Sequence, residues 1–147
     1  MTAPIQFTVL GRPQSAGSKR PVVARNNRLR VVDSSGEKGQ SWRGDVRDAA
    51  IQAMGGKLAM LTGPLVLAVT FLLRRPKNHR RKSGALKPDA PLYPTSRPDV
   101  TKLIRAIEDA LTGVAWFDDA LIVDQHGHKR FTDGAERAEV TIGRVTA

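Results

Sequence analysis

The chain of 147 residues contains no cysteine, and only 5% of its residues are aromatic. The lack of cysteine excludes disulfide bonds and thiolate metal sites. No apolar run reaches the roughly 18 residues that a membrane-spanning helix needs, and the N-terminus shows no basic-then-apolar signal sequence. We therefore expect a cytoplasmic protein that has no membrane partner.

Acidic residues are also scarce, because 14 Asp and Glu stand against 24 Lys and Arg. The net charge of +10 and the pI near 10.9 favour polyanionic partners, namely DNA, RNA or an anionic membrane surface. A basic surface kept for solubility is the alternative. The positive charges are clustered, which favours a nucleic acid.

The length predicts one domain over residues 1–147. Residues 5–10 alternate in polarity and predict a strand, and residues 39–54 predict a helix. The continuously apolar residues 65–73 predict a central strand that is covered on both faces. Asp133-Gly134 predicts a hairpin turn into a return strand over residues 138–142.

A basic loop follows the apolar strand, at about residues 74–98. Over residues 74–97 it carries eight Lys and Arg against one Asp, and four prolines interrupt any apolar periodicity. A flexible loop of this length inside a compact domain is usually functional, and neutralising several phosphates would make binding strongly salt-dependent. A disordered surface segment without function is the alternative.

Residues 97–124 read as a helix, a turn and the start of a strand. Pro98-Asp99 opens the helix, and an apolar stripe recurs at helical spacing through Val100, Leu103, Ile104, Ile107 and Leu111. Gly113 lies where a helix C-cap is expected, and Asp118-Asp119 precedes the next strand. Asp99 alone reads as an ordinary helix N-cap, and Asp118-Asp119 as a polar turn.

These three carboxylates stand beside a basic loop in a basic protein, which is the combination a nuclease needs. Cations would bind DNA, and a few carboxylates would bind Mg²⁺, which prefers hard oxygen ligands. The metal could then activate a water and stabilise charge on the scissile phosphate.

The same segment resembles the RusA family of Holliday-junction resolvases. The resemblance rests on Pro98-Asp99, Leu103, Arg105-Ala106, then Asp109-Ala110-Leu111-Thr112-Gly113, and finally Asp118-Asp119-Ala120 with Ile122-Val123. It implies an α+β fold, with a mixed β-sheet of five to six strands and two main helices. It also implies a homodimer with two active sites that cuts four-way DNA junctions with Mg²⁺, for which Mn²⁺ is a substitute. Genes of this type are often found in phage or prophage, where such an enzyme would process recombination, repair or replication intermediates.

The resemblance also assigns roles to individual residues. Asp99 and Asp119 become essential metal ligands, with Asp118 as a further ligand or near neighbour. Arg105 becomes a catalytic cation that holds the scissile phosphate or stabilises the transition state, whereas a solvated helix charge is its alternative. The expected DNA contacts are Lys19, Arg20, Arg74, Arg75, Lys77, Arg80, Arg81, Lys82, Lys102 and Lys129.

One departure from the family pattern concerns Thr101. Many members carry a second carboxylate two residues after the first, and a neutral hydroxyl is a poor replacement as a Mg²⁺ ligand. This departure sustains a second hypothesis, a non-catalytic protein that binds branched DNA selectively. A basic RNA-binding or assembly protein is a third.

Overall fold

A computed structural model of the chain describes residues 3–17, 19–23, 26–33, 36–57 and 59–146. The strands and helices are listed here in chain order: β1 (Ile5–Leu10), β2 (Lys19–Val23), β3 (Leu29–Asp33), α1 (Gly36–Ala53), β4 (Leu65–Arg74), α2 (Val100–Leu111), β5 (Ile122–Thr132) and β6 (Arg137–Arg144). The predicted α+β class with two main helices and a mixed sheet is confirmed. The six strands divide into a four-stranded sheet of order β1-β6-β4-β5 and a separate β2-β3 hairpin.

The sheet is mixed because β4 pairs in parallel with β5 and antiparallel with β6. A parallel pair needs a long crossover, and the basic loop together with α2 supplies it. The predicted hairpin at Asp133-Gly134 is wrong, since β4 lies between β5 and β6. The longest apolar strand takes the most buried place in the sheet, and both of its neighbours pair with it rather than with each other.

Both helices pack on one face of the sheet. Leu103, Ile107 and Leu111 of α2 are fully buried, as the apolar stripe predicted, and Trp42 of α1 joins the same core. Gly113 follows α2 with a φ of 88°, which suits a glycine after a helix end. Described helices therefore cover one side of the sheet.

The opposite face of the sheet is less covered. Residues of β4 alternate between buried and half-buried, so that Leu67 and Val69 are buried whereas Val66 and Ala68 are only partly so. The prediction that β4 is fully covered on both faces is therefore wrong. No helix in the described part of the chain is long and apolar enough to cross a membrane.

The α2 helix lies directly on the edge strand β5. A Cβ atom added at Gly127 would lie 3.0 Å from Val100 Cγ2 and would collide with the side chain of Ile104. Glycine thus allows a close approach that any larger residue would prevent. Lys129 at one end of β5 bonds the chain just before α2, and Gln125 bonds Glu108 farther along, so α2 and β5 run antiparallel.

Candidate functional site

Asp99 stands at the N-cap position of α2, but it does not act as a capping side chain. Its carboxylate makes no hydrogen bond to the first helical N–H groups, and the residue is exposed. An Asp whose only role was to stabilise the helix would normally make that bond. The free carboxylate instead lines a cleft of about 500 Å³. The ordinary N-cap interpretation therefore does not account for Asp99.

Three cations line the same cleft as Asp99, namely Arg12, Arg97 and Lys102. The loop after β1 brings Arg12 there, because Ala16 N–H donates to the Lys102 carbonyl at 2.9 Å. Arg12 also forms an ion pair with Glu136 at 2.9 Å. In a cleft with one carboxylate and several cations, the cations can bind a phosphate, and the carboxylate together with that phosphate can bind a metal ion.

Lys129 fixes the chain that leads into Asp99. Its ammonium donates to the carbonyl oxygens of Ser96 and Pro98, each at 2.9 Å. Lys129, which the sequence analysis predicts as a DNA contact, thus positions the residue before Asp99 within the chain itself. The close approach that Gly127 allows and the two Lys129 hydrogen bonds together hold the start of α2 against β5.

Asp118 and Asp119 lie at the other end of the unit, in a 3₁₀ turn over Asp119–Leu121. Asp118 accepts a hydrogen bond from the Ala120 N–H at 2.9 Å, so it caps this turn. Asp119 is exposed and lies close enough to Glu108 of α2 to influence its titration. Glu108 in turn accepts a hydrogen bond from the Gln125 side chain.

Partial burial raises the pKa of Glu108 above its ordinary value, and the negative charges of Asp119 and Asp109 raise it further. The hydrogen bond from Gln125 and the charge of Arg105 act in the opposite direction. The negative charges near Asp119 therefore repel one another in the absence of a bound cation. This is the electrostatic setting that favours binding of a cation or of a proton.

We expect Glu108→Gln to stabilise the protein at neutral pH. A raised folded-state pKa means that stability is greatest below the ordinary pKa and falls as pH rises through the folded pKa. Removing the charge should raise Tm by about 1–3 °C near pH 7.5, and the gain should vanish near pH 4. Thermal unfolding across this pH range measures it. Glu37→Gln, at an exposed residue of α1, is the control, and an equal gain from Glu108→Gln at all pH values would contradict a charge effect.

The two carboxylate groups occupy opposite ends of α2. Glu108, the neighbour of Asp119, lies nine residues after Asp99, which corresponds to about 13 Å along a helix axis. Within the described residues, no group of three or more His, Asp or Glu side chains is arranged to hold a metal ion. The described residues of the chain thus present two separate carboxylate sites, Asp99 with cations and Asp119 with Glu108.

The family model of endodeoxyribonuclease RusA matches residues 12–143, which includes both carboxylate sites and the basic loop. The chain belongs to the RusA family. It is also similar to the uncharacterized protein YqaN of Bacillus subtilis (strain 168), with 28% identity over 145 residues that cover 97% of this chain and 98% of that protein. Membership of the RusA family indicates that this chain is an endodeoxyribonuclease and that DNA is its partner.

Two further α2 positions that the family pattern singles out lie on the exposed side of this helix. Thr101 and Arg105 are both exposed, four residues apart and thus on one face. Arg105 is near enough to Glu108 to lower its pKa, which places its charge between the two carboxylate sites. Lys102 lines the Asp99 cleft, as a DNA contact would require.

The basic loop divides into cations that hold it together and cations that face solvent. Arg75 donates to the Pro91 carbonyl at 2.6 Å, and Arg80 bonds the Gly84 carbonyl and pairs with Asp133. The remaining predicted contacts of this loop are exposed: Arg74, Lys77, Arg81 and Lys82. Lys19 and Arg20 lie in β2, but their side chains lie outside the described residues.

Sequence reasoning missed Arg12, Glu108 and Glu136 as parts of this site. Glu136 forms an ion pair with Arg12 and accepts a hydrogen bond from the Arg74 N–H at 3.1 Å. This residue just before β6 therefore links the loop after β1 to the end of β4. Glu108 lies nine residues after Asp99, so its place in the sequence alone does not link the two residues. The position of Glu108 on the polar face of α2, one turn after Arg105, was the sequence feature that could have indicated its role.

The donor chemistry fits Mg²⁺, although no three-carboxylate group forms among the described residues. Mg²⁺ in nucleic-acid enzymes is commonly bound by one or two carboxylates, several waters and substrate phosphates. The exposed carboxylates of Asp99 and Asp119 are free for that purpose, since no hydrogen bond or ion pair within the described residues occupies them.

Proposed function

We propose that this RusA-family protein is a Mg²⁺-dependent endonuclease that resolves four-way junctions or related branched DNA by hydrolysing phosphodiester bonds. The observation that supports it most is the uncapped carboxylate of Asp99 in a cleft lined by Arg12, Arg97 and Lys102. A carboxylate that stabilised only the helix would be bonded to its N–H groups. Surrounding cations suit a carboxylate that works beside phosphate.

In this proposal Asp99 and Asp119 hold Mg²⁺, with Asp118 near it, and Mn²⁺ can replace the metal. The bound metal would activate a water and neutralise charge on the phosphate. The protein's own cations orient the strand, because guanidinium groups form paired hydrogen bonds with phosphate oxygens. Arg105 lies between the carboxylate sites and stabilises charge on the reacting phosphate.

The exposed cations of the basic loop extend the phosphate-binding surface away from the cleft. Arg74 and Lys77 line a second cleft that also contains Arg12 and Arg97. Arg81 and Lys82 lie farther along the loop and are exposed. A surface of this kind holds DNA through its backbone, and binding should weaken steeply with salt.

We also propose a homodimer in which each active site takes residues from both subunits. In the described chain β5 is an edge of the sheet, and Phe117 and Val123 near its start are exposed apolar residues. Antiparallel pairing of β5 with its copy would cover this edge. It would also bring the start of one β5, which follows Asp119, toward the end of the other, which lies beside Asp99 of the partner subunit.

This arrangement explains why the family residues Asp99 and Asp119 lie at opposite ends of α2 in one protomer. Two sites related by a two-fold axis would suit paired cuts on a four-way junction, which has two-fold symmetry itself. In the cell, we expect the substrates to be recombination, repair or replication intermediates of a bacterial, phage or prophage genome.

A labelled synthetic four-way junction tests the proposed activity. We expect symmetric nicks with Mg²⁺, at least about tenfold faster than cuts in a linear duplex of the same sequence, and no nicks with EDTA. The second candidate, a junction-binding protein that does not cut, is favoured by the neutral Thr101. Tight junction binding without cleavage in Mg²⁺ or Mn²⁺ would support that candidate and contradict the nuclease.

A further inference from the structure

A second cleft opens at the ends of β4 and β5, beside the cleft that contains Asp99. Its volume is about 450 Å³, within the range of small-ligand sites. The basic loop forms one wall with Tyr93 and flanking prolines, and Phe131 of β5 contributes to the other. None of the roles described above uses its aromatic residues.

Planar groups define the inside of this cleft. The Arg75 guanidinium lies over the Phe131 ring at 4.3 Å from its centroid, and the His79 ring meets Phe131 edge-on at 5.5 Å. Arg130, which is not among the residues that line the cleft, lies over the Tyr93 ring at 5.0 Å. Arg75 is held by the Pro91 carbonyl, so its plane is fixed before any ligand arrives.

Tyr93 remains accessible within this framework. Its relative exposure is 54%. It is the single tyrosine of a chain that has few aromatic residues. Aromatic faces next to cations are the usual platform for unpaired nucleobases, because every base has a π-face and every linked phosphate a charge. A base that is paired and stacked inside a duplex cannot offer its face to Tyr93 in this cleft, which Pro91 and Pro94 also line.

The two clefts are neighbours that share two cations. Arg12 and Arg97 line both of them, so a strand whose phosphate lies beside Asp99 meets these guanidinium groups on its way to Tyr93. The neighbouring nucleotide would therefore place its base in the second cleft while its phosphate stays on Arg12 and Arg97.

We propose that the second cleft binds one unpaired DNA base next to the cleaved phosphate, stacked on Tyr93. This inference rests on the proposed function, since it names the part of branched DNA that the site selects. Bases at a branch point are unstacked at a lower cost than bases inside an intact duplex. The cleft thus favours branch points over duplex DNA.

The test measures binding to a four-way junction that carries 2-aminopurine at the crossover, in EDTA and at fixed salt. We expect the wild type to quench the fluorophore by stacking, and Tyr93→Ala to lose the quenching and to bind about tenfold more weakly. Tyr93→Phe should retain both properties. Leu92→Ala, at an adjacent residue that is 77% exposed, is the matched control and should behave as wild type.

A second probe, a single-stranded oligonucleotide with 2-aminopurine or with an abasic site at the same position, removes the junction itself from the comparison. The wild type should bind the abasic strand about tenfold more weakly than the intact strand, and Tyr93→Ala should not distinguish them. Equal binding and quenching by wild type and Tyr93→Ala would overturn the base site. Both measurements are made in EDTA, so a protein that never cleaves still tests the base site independently of the nuclease.

Discussion

Replacing Asp119 by asparagine should reduce junction cleavage in Mg²⁺ by at least about 10²-fold, and Asp99→Asn should do the same. Both side chains are exposed and make no hydrogen bond or ion pair within the described residues, so neither substitution removes a stabilising contact. The expected loss is therefore catalytic. Single-turnover cleavage of a labelled junction measures it.

Junction binding by these variants should stay at least as tight as in the wild type. Each substitution removes a negative charge from a DNA-binding surface, and the cations that bind phosphate are unchanged. Asp109→Asn, at another exposed acid of α2, is the control and should cleave within about threefold of wild type. Full cleavage by Asp99→Asn would return Asp99 to the role of a residue that merely begins a helix.

Local patterns predicted the α2 unit well, because helix formation depends on nearest neighbours. The apolar stripe through Leu103, Ile107 and Leu111 is buried as predicted, and Gly113 ends the helix. The turn at Asp133-Gly134 was predicted with equal local support, but the strands around it do not pair. Which strands become neighbours depends on contacts distant in sequence, and here β4 occupies the place between them.

The cations of the basic loop show the same division at the level of side chains. Composition predicts that the segment binds phosphate, and exposed Arg74 and Lys77 fit that prediction. Arg75 and Arg80 are cations of the same segment, yet their guanidinium groups donate to the loop's own backbone. A guanidinium can donate to carbonyl oxygens as well as to phosphate oxygens, so only the folded loop separates the two roles.

The carboxylates were recognised through family motifs, but their arrangement was not. Glu108 gained a role only because Gln125 and Asp119 come next to it in the fold. Conversely, the motif links Asp99 and Asp119, although the two residues lie near opposite ends of α2 in the described chain. Motifs record which residues a function needs, and in a symmetric oligomer those residues can belong to different chains.

That possibility has a direct consequence for mixtures of inactive variants. A subunit with Asp99→Asn still carries Asp119, and a subunit with Asp119→Asn still carries Asp99. If each site combines Asp119 of one subunit with Asp99 of the other, a mixed dimer has one intact site and one doubly damaged site. If each site lies within one subunit, every site of every dimer lacks a carboxylate.

We expect that mixing the two variants in equal amounts, with time for subunit exchange, restores nicking to about a quarter of the wild-type rate. Half of the dimers would then be mixed, with one active site in each. Such dimers should nick a single strand of the junction rather than make paired cuts, which denaturing gels of a junction labelled on each strand distinguish. Mixing either variant with Asp99→Asn/Asp119→Asn should restore nothing, because no pairing of those subunits completes a site. Absence of recovery in the first mixture, with subunit exchange verified by mass, would place both carboxylates of a site in one chain and would require α2 and the turn at Asp119–Leu121 to approach each other when DNA binds.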